Sequence, residues 1–154
     1  MKKMALKSWC ILTFIVGSVV FCLTGCEKAP VNNTIEAHWK LQKFIVNETQ
    51  EIIKCEHLYL GISHEVSLFT EKNETDVGSS FAARTQFLNH ESKIEFSDFK
   101  VREVTGDTKV DATKEQLLPF GIDNPHTTTF QVIKSSHHEL IIESDYARLF
   151  MKRF

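Results

Sequence analysis

The sequence predicts an all-β domain, an antiparallel sandwich or barrel with one short helix. Three observations lead there. Apolar residues recur with a period of two, as half-buried strands require. Clusters of turn-forming residues separate these short runs. Only one stretch carries a helix-start signal.

In chain order, Trp39 and Leu41 share a phase that Phe44 and Val46 break, which predicts a bulge near Gln42. Leu60, Ile62, His64, Val66 and Leu68 then read as one face of a single strand, with Gly61, Ser63, Glu65 and Ser67 on the other. Phe81, Ala83, Thr85 and Phe87 form the next inward row. Ile94 and Phe96, Phe130 and Val132, and Leu140 and Ile142 mark further strands, and a last run extends from Tyr146 to Phe154. Turn signals fall at residues 72–76, 89–92, 105–107 and 135–138. Thr113 with Gln116 three residues on is a capping box, and Pro119 follows closely, so one helix of about two turns is expected before a loop over 120–125.

The N-terminus has a different character. Lys2, Lys3 and Lys7 precede an apolar run from Trp9 to Leu23, and no acidic residue occurs before Glu27. That run is shorter than the roughly 20 apolar residues of a membrane-crossing helix but suits the core of a signal peptide. It ends in Leu23-Thr24-Gly25-Cys26, which resembles the lipobox of bacterial lipoproteins. The resemblance implies cleavage before Cys26, with fatty acyl groups such as palmitate carried on its thiol. A single chain holds a bilayer only marginally, at about 0.8 kcal/mol per buried methylene, so the two or three chains implied make a durable anchor. The expected organisation is a leader over 1–25, a lipidated tether over 26–35 and a β domain over 36–154. Glu27, rather than Asp, after the cysteine leans toward the outer membrane of the cell envelope.

Removing the leader takes three of the 18 basic residues and none of the 20 acidic ones, which leaves a formal charge of −5. No basic run or stripe is expected once the leader is gone, so a nucleic-acid partner is not expected. Cys55 is then the one cysteine left outside the leader and the lipid site, and no internal disulfide can form.

Three stretches resemble the small lipocalin-like lipoproteins of Bacteroidota: Trp39-Lys40-Leu41 after the tether, Glu115–Ile122, and the ending Leu140–Phe154. One position departs, since lipocalins usually have glycine where this chain has Ala37. The resemblance implies an up-and-down antiparallel β-barrel of about eight strands. If such a sheet closes with an even strand number, the first strand pairs with the last and Trp39 comes near Arg153. The resemblance then implies a basic residue capping the tryptophan, and Arg153, at the end of the row Ala147, Leu149, Met151, is the candidate, with Lys152 its competitor.

No catalytic motif is present: Gly-x-Ser-x-Gly, phosphate-cradling glycine loops, His-Glu-x-x-His and Cys-x-x-Cys are all missing. Cys55, His57 and Tyr59 would share one strand face, but zinc needs further ligands, so neither a metal nor another cofactor is expected. No enzyme activity is expected. The expected function is binding of a small apolar or amphipathic ligand in a cavity lined by Leu60, Ile62, His64, Val66, Phe81 and Phe87, with His64 as the polar contact. The alternative is a protein-interaction lipoprotein, an inhibitor or accessory subunit, whose barrel is filled by side chains.

Overall fold

The computed structural model describes residues 34–72, 77–103 and 106–154. The leader, Cys26, most of the tether and the turn signal at 73–76 lie outside the described residues. Ten strands are present: β1 (Ala37–Val46), β2 (Ile52–Lys54), β3 (Leu58–Ile62), β4 (Val66–Lys72), β5 (Val77–Leu88), β6 (Lys93–Glu103), β7 (Gly106–Asp111), β8 (Thr127–Ser135), β9 (Glu139–Glu143) and β10 (Ala147–Arg153). They fill eight positions around a closed antiparallel barrel.

Two positions are shared by broken strands. On one flank of β1, residues 43–45 pair with β2 and residues 37–40 pair with β3, so the break at Cys55–His57 divides one strand position in two. Similarly, β6 pairs with β8 through residues 93–97 and with β7 through residues 100–103. Closure comes from β1 and β10, which pair from Trp39↔Arg153 to Val46↔Ala147. The register slips between Leu41 and Lys43, so Gln42 is the expected bulge. That slip lets Leu41 and Phe44 both face the core.

Between β7 and β8 the chain inserts helix α1 (Lys114–Leu117), continued by a 3₁₀ turn over Leu118–Phe120. Thr113 caps it: its hydroxyl accepts from the Gln116 amide while the Gln116 side chain accepts from the Thr113 amide. Pro119 sits within the 3₁₀ turn, where its missing N–H costs no hydrogen bond. Gly121 ends the turn at φ +73°, a left-handed conformation suited to glycine. A Cβ there would lie 2.9 Å from Leu149 Cδ1 and 3.3 Å from Phe44 Cγ.

Among the described residues the core extends from Ile35 to Met151 and runs the length of the barrel. Because closure pairs the first strand with the last, the barrel carries its own sheet and core.

Candidate functional site

Both ends of the barrel are stopped. At one end Trp39 is fully buried, and its indole N–H donates to the Ile35 carbonyl at 2.8 Å. Arg153 places its guanidinium 6.0 Å from the Trp39 ring centroid and donates to His137 Nδ1 at 3.5 Å. Lys152 points outward from the same strand and is exposed. At the other end the 3₁₀ turn drives Phe120 into the interior, with ring centroids 5.8 Å from Phe69 and 6.0 Å from Phe81. Phe69 also meets Phe96 at 5.2 Å and Phe99 at 5.5 Å, and Phe96 meets Phe130 at 5.8 Å. These separations are those of packed aromatic pairs.

The expected ligand cavity is corrected on this geometry. Leu60, Ile62 and Phe81 do face inward, but they are buried in the packed core. His64 lies outside: residues 60–68 form two strands joined by a turn at 63–65, not one strand. The hairpin resets the alternation, so Ser67 and Phe69 face in while His64 and Val66 face out, Val66 being 48% exposed. His64 instead stacks on half-buried Phe87, with ring centroids 6.1 Å apart and 6° between planes. The buried hydroxyls of Ser67 and Thr85 satisfy each other at 2.6 Å, so neither is left aimed at a ligand.

The shared face expected for Cys55, His57 and Tyr59 is also corrected, because the break between β2 and β3 turns Cys55 inward and leaves His57 exposed. Burial pushes the Cys55 thiol up to about 11, so it stays protonated near neutral pH and is a poor nucleophile or metal ligand.

Concave surface lies outside the barrel. An open groove of about 850 Å³ runs along β8 and the β9–β10 turn, between Lys93 and Gln131 on one side and Asp123, Asp145 and Tyr146 on the other. Its walls are held by local bonds: Asn47 Nδ2 donates to the Ser144 carbonyl at 2.8 Å, and Asn124 Oδ1 accepts from the His126 amide at 3.0 Å. Burial, then the charges of Asp123 and Glu51, raise the Tyr146 hydroxyl above its ordinary pKa, so it remains a neutral donor. The groove therefore offers hydroxyls, amides and carboxylates, a surface for a polar partner.

A further expectation is corrected here. Basic residues do form a stripe, assembled across β1, β2, β4 and β10 rather than along the chain.

A family model described as a lipocalin-like domain matches residues 21–154. The chain belongs to this lipocalin-like family. Among solved structures, a lipocalin-like protein from Bacteroides uniformis is similar with a TM-score of 0.59 and 12% identity, over 79% of this chain and 99% of that one. An uncharacterized protein from Bacteroides eggerthii gives a TM-score of 0.59 at 10% identity, over 77% of this chain and 98% of that one. At such identities the likeness carries the fold alone. No curated protein matches the chain. A lipocalin-like fold suggests a binding protein, and in this one the interior is occupied by its own aromatic side chains.

Proposed function

We propose that this lipocalin-like protein is a lipid-anchored, non-enzymatic binding protein of the cell envelope. It meets its partner with its outer surface and uses the barrel interior as a packed core. The observation that carries this reading is Phe120, packed edge-on against Phe69 and Phe81 inside the barrel, where a lipocalin-like ligand would otherwise sit. Eight-stranded barrels are narrow enough for side chains alone to fill them. This favours an inhibitor or accessory subunit over a carrier of small apolar molecules, with the groove beside β8 as the contact surface. Cys26, acylated and held at the outer membrane, would keep the domain beside its partner.

An apolar fluorescent probe tests the reading on the folded chain. No saturable binding is expected, and Ile62→Trp, which adds volume to a filled core, should destabilise the domain by about 1–3 kcal/mol. Saturable binding displaced by fatty acids, with Ile62→Trp folded normally yet unable to bind, would restore the carrier reading. The anchor is checked separately: cells fed labelled palmitate should label the protein, and Cys26→Ser should abolish the label.

A further inference from the structure

The outward faces of the strands around the barrel closure bring together lysines that are distant in sequence. Lys40 on β1 stands directly opposite Lys152 on β10. Lys43, further along β1, is opposite Lys54 on β2. Lys72 at the end of β4 reaches over the same face, with its Nζ 4.7 Å from the Tyr59 ring centroid and 5.1 Å from that of Phe154. Among the described residues none of these five lysines is in an ion pair, whereas Lys100, Lys134 and Arg148 all are. Glu139 lies beside Lys152 in register, but its carboxylate is engaged by Lys134 at 2.5 Å.

Like charges directly opposite each other destabilise a sheet. Two such pairs, Lys40 with Lys152 and Lys43 with Lys54, are kept on one face of a domain whose formal charge is −5 without its leader. Aromatic rings lie among the ammonium groups. Lys43 Nζ is 4.8 Å from the Phe150 ring centroid, and Tyr59 meets Phe154 edge-on at 5.1 Å. Phe154 is 72% exposed, at the barrel end where the chain enters β1. Lysines interleaved with exposed Phe154 and half-buried Tyr59 and Phe150 are the side chains that suit a membrane–water interface, the rings at headgroup depth and the ammonium groups on phosphates.

We propose that this face docks on an anionic lipid surface. Position favours a membrane over an acidic protein. Thr34, the first described residue, is held to Ser135 at 2.5 Å near this end of the barrel. Cys26 precedes it by eight residues, a span of at most about 29 Å when extended. If Cys26 is acylated, the anchor and the basic face act on the same bilayer. The docking face does not depend on the acylation, so the unlipidated chain tests it.

Residues 27–154 are mixed with phosphatidylcholine vesicles with and without phosphatidylglycerol, and bound protein is measured by flotation at low and high salt. Binding is expected only to the anionic vesicles and should fall as salt screens it. Lys40→Gln with Lys152→Gln should weaken it about 25-fold, roughly fivefold per lysine. Neither change harms the fold, because it removes a like-charge pair. Lys109→Gln with Lys114→Gln makes the same change of charge in the β7–α1 region, away from β1, and should leave binding within about twofold. Phe154→Ser should weaken binding about tenfold with less salt dependence. Equal binding to neutral and anionic vesicles, or equal losses from the two lysine pairs, overturns the proposal. So does retention of an acidic peptide such as polyglutamate by a chain that ignores both vesicles, which would assign the face to a protein.

Discussion

The Trp39 end and the Phe120 end of the barrel are both sealed, but by residues of different standing. Trp39 belongs to β1, clamped between β10 and β3, and its indole N–H is tied to the Ile35 carbonyl. Phe120 belongs to an insertion between β7 and β8 and is carried in by a 3₁₀ turn one residue before a left-handed glycine. One seal is part of the sheet and the other is an added plug. Under the proposed reading the plug, rather than the strands, separates a filled barrel from a hollow one.

The largest expected effects lie at these two residues. Trp39→Ala should cost about 5 kcal/mol, the upper part of the range for large aromatics, because paired strands on both sides cannot close over the space left behind. Phe120→Ala should cost about 3 kcal/mol, since a short turn can settle inward. The two variants should also differ in what they admit. With Phe120 shortened, an apolar probe is expected to gain a site beside Phe69 and Phe81. Equal stability losses in urea denaturation with no probe binding by Phe120→Ala would erase the distinction between seal and plug.

Gly121→Ala comes next. At φ +73° an alanine is strained, and its Cβ meets Leu149 and Phe44. The cost should be about 1–3 kcal/mol. Thermal unfolding measures it, and a change of less than a few tenths would mean that the turn bearing Phe120 is not held in this conformation.

The same contrast explains what was legible in the sequence. A strand that runs uninterrupted, such as β9, could be read with its facing, because the alternation that buries Leu140 and Ile142 is all that defines it. On β10, by contrast, the apolar residues on both faces left Arg153 and Lys152 competing. The bulge at Gln42 was legible because Leu41 and Phe44 break phase visibly. Residues 60–68 misled because the turn at 63–65 is Ser63-His64-Glu65, with neither glycine nor proline to interrupt the pattern. Phe99 was missed for a related reason. Asp98 takes φ 56°, which shifts the register so that Phe96 and Phe99 both face the core; the irregular spacing of Phe96, Phe99 and Val101 was its only signal. The helix could be read from its capping box, but the inward aim of Phe120 depends on how the insertion folds back, which no local pattern encodes. The lysine face needs more than the expected pairing of the first and last strands, since Lys54 and Lys72 join it only once β2 and β4 take their places.

The smallest expected effect sharpens the comparison at the Trp39 end. Arg153 is exposed, and its guanidinium lies 6.0 Å from the indole ring. An exposed cation–π contact at this distance is worth about 0.5–1 kcal/mol, so Arg153→Ala should lower stability by that amount and no more. Arg153→Lys should recover only part of it, because a point ammonium lacks the planar stacking of guanidinium. Trp39 is the sole tryptophan of residues 27–154, so the fluorescence of that chain reports this end directly. The emission should be that of a buried indole in the parent chain and should stay so in Arg153→Ala, because Ile35 and the sheet, rather than the arginine, keep water away. A shift to water-like emission in Arg153→Ala would make the arginine the lid of this end, and the barrel would then have two plugs rather than a seal and a plug.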